Sequence, residues 1–276
     1  LAREGIDAYA GFSGAKGGDG NDARASAKAL VGQAGIFGVL GSIAPALADA
    51  GAKPMRLAPD SIAQVAQRLT ATHRAEEPTV VIERYTDGKR NLFMVYVPGM
   101  RSKNPLNIAE PFNISASVHE LADAQHSACH LAVRDALAQA GVGAKDQVVI
   151  AGYSQGGMVA AELAARSEAN VVGIVTVGAP VGQVEIPAEI PVLSLEHTND
   201  IVPALGGKLN PLTENWVTVG REVEVKFGES ALVAHELGEY QKTAAMIDDS
   251  DATGVSRIRG QILSRFDGLQ IGRAHV

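Results

Sequence analysis

The sequence predicts an α/β protein: a mostly parallel β-sheet with helices on both faces, preceded by a helical N-terminal segment. Apolar runs of strand length, QVVIAGY (147–153), VVGIVTV (171–177) and IPVLSLE (190–196), alternate with helix-like stretches. The runs are almost continuous in Val, Ile and Leu, as strands covered on both faces are. Parallel neighbours need crossover connections, which the intervening stretches are long enough to supply as helices.

Taken in order, the chain opens on Leu1 with a Gly- and Asp-rich stretch that shows no basic region followed by an apolar one, so its start reads as missing. Residues 31–48, VGQAGIFGVLGSIAPALA, are apolar, but Gln33, Ser42, Pro45 and four glycines dilute them. A buried or lid-like helical segment is expected there, and an integral membrane span is not. Ile62, Val65 and Leu69 fall at helical spacing after Pro59-Asp60-Ser61, a helix-start signal. This N-terminal helical region is assigned to 1–76.

The main domain is assigned to 77–270. TVVIERY (79–85) and NLFMVYV (91–97) read as two β-runs joined at Thr86-Asp87-Gly88. A long helix is expected over 117–140, another over 156–166, a last strand or hairpin from WVTV and VEVKF after Asn215, and a helix over 232–247. The last six residues, IGRAHV (271–276), resemble a sequencing-adapter stretch and are set aside.

Composition excludes some functions. Of the 276 residues 46% are hydrophobic, and the formal net charge is −7, with no long basic run to meet a nucleic-acid backbone or an anionic membrane. The single cysteine, Cys129, rules out an intrachain disulfide and any multi-cysteine metal site.

The chemistry-bearing signal is Gly152-Tyr153-Ser154-Gln155-Gly156, set directly after a strand and before a helix. A nucleophile elbow needs that setting: the strand turns sharply into the helix, the serine is lifted above the sheet edge, and the helix N-terminus offers free N–H groups to an oxyanion. Gly11-Phe12-Ser13-Gly14-Ala15 nearly repeats the letters without a strand before it, so Ser13 is discarded. A serine needs a base and an orienting carboxylate, in the chain order Ser, Asp, His. Asp200, just after the strand ending in Leu195-Glu196, and His235, at the head of a late helix, satisfy that order. Glu196 or Asp123 in place of Asp200, and His197 in place of His235, stay open as rivals. The N–H groups of Met100, in the turn Val97-Pro98-Gly99-Met100, and of Gln155 are the expected oxyanion hole. Arg101 reads as a solvated surface arginine or a contact for an acidic substrate group.

GYSQGG (152–157), NDIVPALGG (199–207) and AHELGEY (234–240) together resemble the α/β-hydrolase superfamily, nearest its class 3 lipase-like and cutinase-like serine esterases, over about 77–250. The resemblance implies that Ser154 attacks an ester carbonyl, His235 shuttles the proton and Asp200 holds His235. A small-molecule or lipid ester is the implied substrate, with no metal or organic cofactor. Cutinases rely on disulfides, which this chain with one cysteine cannot form. A non-catalytic binding or envelope-interaction protein, and an acyltransferase or thioesterase, stand as alternatives. His119, Asp123, His126 and His130 share one stripe of the expected 117–140 helix, but such a stripe beside the apolar one through Cys129 is ordinary amphipathicity rather than a metal site.

Overall fold

A computed structural model describes residues 7–8, 57–76, 80–103, 110–113, 127–228 and 230–275. Its elements are β1 Asp7–Ala8, α1 Ile62–His73, β2 Val81–Thr86, β3 Asn91–Val97, α2 Ala128–Gln139, β4 Gln147–Tyr153, α3 Gln155–Ala165, β5 Val171–Val177, β6 Val192–His197, α4 Ile201–Ala204, β7 Trp216–Arg221, α5 Leu237–Asp248, α6 Thr253–Leu263 and β8 Gln270–His275, with 3-10 turns at Ala231–His235 and Ser264–Phe266. The strands form one sheet in the order β1-β7-β6-β5-β4-β3-β2-β8. β3 through β7 run parallel, while β1, β2 and β8 are antiparallel to their neighbours.

Helices cover both faces because the strands alternate apolar side chains across them. Phe93, Val95, Val97, Val148 and Ile150 pack with α2 and α3. Leu92, Met94, Tyr96, Val149, Ala151 and Tyr153 pack with α1, α5 and α6. Ile62, Val65, Ala66 and Leu69 of α1 lie inside this second core, so the division at 76/77 does not separate two cores. Ser61 caps α1 by accepting from the Gln64 N–H, and the Asp248 carboxylate at the end of α5 accepts from Ile62 and Ala63 at 2.9 and 2.8 Å. Amides that α1 cannot satisfy itself thereby find an anion from another helix.

Several expectations are corrected. Ser127 is extended (φ −72°, ψ 134°), so α2 begins at Ala128 and no continuous helix passes through 117–140; residues 117–126, with His119, Asp123 and His126, lie outside the described residues. The run 223–227 forms no strand, because both backbone groups of Val223 bond the Asn199 side chain instead. The helix expected over 232–247 breaks at Glu236, which is extended between the 3-10 turn and α5. The sequence reading has no counterpart for α6, although Val255, Ile258 and Ile262 are buried at helical spacing. Residues 271–275, set aside in the sequence, lie in β8 beside β2. Among the described residues no helix is long and apolar enough to cross a membrane; 31–48 and Ser13 lie outside them.

Candidate active site

β4 ends at Tyr153 and α3 begins at Gln155, so Ser154 makes the turn alone, at φ 51° and ψ −117°. A side chain in that region is strained by about 1–3 kcal/mol and stays there only where the surroundings hold it. The Ser154 N–H donates to the Val177 carbonyl of β5 at 2.8 Å. Close backbone packing does the rest: a Cβ on Gly152 would overlap the Gly156 carbonyl, and one on Gly156 would overlap the carbonyls of Val97 and Pro98. The motif's glycines thus let strand, helix and the loop after β3 converge on one serine.

Two side chains from far along the chain meet that serine. His235 Nε2 lies 3.1 Å from Ser154 Oγ, and His235 Nδ1 lies 2.6 Å from Asp200 Oδ2. A carboxylate oxygen only accepts, so Nδ1 carries the proton and Nε2 presents its lone pair to the serine hydroxyl. Asp200 follows β6, accepts the Val202 N–H on Oδ1 at 2.9 Å, and starts the short helix α4. Its side chain is wholly buried. Burial alone raises a carboxyl, but the hydrogen bonds from His235, Val202 and Tyr240 together hold Asp200 below the ordinary carboxylate range.

Sequence reasoning missed the two tyrosines that frame this pair. Tyr240 donates to Asp200 Oδ2 at 2.7 Å, and Tyr153 donates to the His235 carbonyl at 2.6 Å while its ring stacks on the His235 ring at 5.0 Å. Burial, reinforced by the Asp200 charge, pushes both phenols upward, so each stays a donor. Tyr153 lies inside the elbow and Tyr240 five residues past the base, but a tyrosine carries no spacing rule that marks it as a partner. His73, at the end of α1, meets Tyr153 edge-on at 5.1 Å; burial, then the charges of Arg101 and Arg74, push its imidazole down to about 4.

The loop after β3 packs against Ser154. A Cβ on Gly99 would stand 3.1 Å from Ser154 Cβ, so this loop passes close beside Ser154. Gln155 begins α3, so its N–H has no acceptor within the helix, and its side chain donates to the Asn113 carbonyl at 3.3 Å. Arg101 is neither a solvated arginine nor free to meet an acidic substrate. Its guanidinium bonds Glu110 at 3.0 Å and the carbonyls of His73, Ala75 and Glu76 at the end of α1. A cation on the carbonyls of a helix C-terminus is in its favourable place.

The rivals fall elsewhere. Glu196 accepts from Asn210 at 2.6 Å, and Asp123 lies outside the described residues. His197 is buried with both ring nitrogens engaged, Nδ1 by the Ala234 carbonyl and Nε2 by Thr243. His130 pairs with Glu168 at 3.0 Å, Cys129 is buried in the core, and no group of three metal-binding side chains occurs among the described residues. A cavity of about 220 Å³ lined by Val184, Ile186, Ile190 and Trp216 opens near the amino ends of β6 and β7, and no residue of the Ser154 cluster lines it.

No family model matches the chain. No curated protein matches it either. What the site can do therefore follows from its chemistry: a serine whose proton has an acceptor, and an acceptor whose tautomer is fixed.

Proposed function

We propose that the chain is a serine hydrolase of the α/β-hydrolase type that cleaves carboxylic esters through an acyl-serine intermediate. The observation that carries this is the hydrogen-bond chain from Ser154 through His235 to Asp200 at the carboxyl rim of the parallel strands, in the chain order Ser, Asp, His. Ser154 Oγ attacks the ester carbonyl as its proton passes to His235 Nε2, and Asp200 stabilises the imidazolium. The Met100 and Gln155 N–H groups receive the charge on the carbonyl oxygen. Collapse breaks the C–O bond, the alcohol leaves with the proton from His235, and water repeats the sequence on the acyl-serine. The loops carrying Asp200 and His235 expose Ile201, Leu205 and Leu232, which favours an ester with an apolar acyl group.

The purified chain is expected to hydrolyse a p-nitrophenyl ester of a short fatty acid and to be labelled on Ser154 by a fluorophosphonate. Ser154→Ala should lose both, with turnover falling by about 10⁶-fold, while the chain still unfolds cooperatively. Retained turnover in that variant refutes the assignment. A folded wild-type chain that the probe ignores points to the non-catalytic alternative. Labelling with acyl passage to an added alcohol or thiol in place of water points to an acyltransferase, and labelling with hydrolysis of an acyl thioester in preference to the oxygen ester points to a thioesterase.

A further inference from the structure

We propose that His197 is a positioning residue for this site: its ring ties the turn that carries His235 to helix α5 and seats Tyr240 against Asp200. The inference rests on the hydrolase reading of Ser154 and adds a residue that touches none of the reacting atoms.

The geometry is complete on every side of the ring. His197 Nδ1 lies 2.6 Å from the Ala234 carbonyl, the residue before His235, and a carbonyl only accepts, so Nδ1 bears the proton. Nε2 lies 2.8 Å from Thr243 Oγ1 and accepts that hydroxyl's hydrogen bond in preference to the Glu239 carbonyl at 3.3 Å, while Oγ1 accepts from Arg221 Nε at 2.7 Å. Arg221 is in turn held by the Glu239 carboxylate at 2.9 Å. The face of the ring stacks on Tyr240 with centroids 3.8 Å apart and planes 11° apart. The His197 backbone N–H donates to the Tyr240 hydroxyl oxygen at 3.3 Å, leaving that hydroxyl's proton for Asp200. One side chain thus fixes both ends of the Asp200–His235 pair, through the turn on one side and through Tyr240 on the other. Burial, supplemented by the Arg221 charge, pushes the imidazole down to about 4, in keeping with a neutral ring of fixed tautomer.

Two variants separate the contacts. His197→Phe keeps the stack and loses both ring hydrogen bonds; His197→Asn restores a donor near the Nδ1 position. With a p-nitrophenyl ester, His197→Phe is expected to lose about 10²-fold in kcat with KM nearly unchanged, the cost of a misplaced base, and His197→Asn is expected to recover most of it. A second readout does not need turnover. The proton between His235 Nδ1 and Asp200 should give a far-downfield NMR resonance in the wild type, absent or displaced in His197→Phe and regained in His197→Asn. If the wild type neither turns over ester nor takes a fluorophosphonate, the hydrolase reading fails, and the resonance still decides the positioning. If His197→Phe does not fold, Thr243→Val, which removes the hydroxyl on Nε2 and with it an acceptor of Arg221, is expected to show a smaller kcat loss and a smaller displacement of the resonance. Variants that melt earlier while kcat and the resonance stay as in the wild type overturn the proposal.

Discussion

Ser154 is a residue whose conformation opposes its own chemistry. Its φ of 51° puts a Cβ where backbone atoms crowd it, yet the same turn lifts the hydroxyl toward His235. Strain held for function should be recoverable once function is given up. Ser154→Gly removes the Cβ and Ser154→Ala keeps it, so the glycine variant is expected to be more stable than the alanine variant by about 1 kcal/mol, and both are expected to be inactive. Urea titration of the pair measures this difference directly. An equal or lower stability for the glycine variant would mean that the turn is relaxed. At this scale the elbow, Asp200 and His235 were legible because chain order and strand context restrict them sharply. Tyr240 was not, because its role depends on reaching an aspartate 40 residues earlier.

Among elements, α1 shows how a helix outside the elbow serves it. Its periodicity and its Ser61 cap can be read locally, but its attachment cannot. Asp248 from α5 holds one end, and Arg101 from the loop after β3 holds the other. The guanidinium serves three backbone carbonyls and the largely buried Glu110 at once, a task that the point charge of lysine does not reproduce. Arg101→Ala leaves Glu110 without this partner and loosens the loop that carries Met100. It is expected to cost about 3 kcal/mol of stability and to lower kcat more than it raises KM, with Arg101→Lys recovering little of either. Denaturant unfolding and steady-state kinetics on the same preparations check both parts. A fully active Arg101→Ala chain would detach this loop from the oxyanion role. The broken helix at Glu236 has the same origin: the carbonyls of Ala234 and His235 are taken by His197 and Tyr153.

Across the whole molecule, buried titrating groups pull stability in opposite directions with pH. His73 and His197 are both pushed from 6.5 down to about 4, so between these values the unfolded chain binds more protons than the folded one and stability rises with pH. Burial pushes the Glu196 carboxyl from 4.5 up to about 7, so there the folded chain binds more protons and stability falls as pH rises. Where the windows overlap, between pH 4.5 and 6.5, two histidines oppose one carboxyl among the described residues. Stability is expected to climb through that window at up to about 1.4 kcal/mol per pH unit, one net proton. Glu196→Gln removes the opposing group and should steepen the climb to as much as about twice that. Unfolding free energies measured at several pH values test the sign; a slope that falls with rising pH overturns it.

By itself the sequence determined the succession of strands from β2 to β7, the strand-to-helix turn at Ser154, and the order in which a carboxylate and an imidazole follow it. These depend on contiguous residues: apolar runs, glycines at fixed offsets, and a strand set against a helix start. Only the tertiary structure decided which groups hold those three in place. Tyr240 on Asp200, His197 beneath the turn of His235, and Arg101 at the end of α1 are contacts between segments that the sheet brings together, and a hydrogen bond across such a gap leaves no period or spacing in the chain.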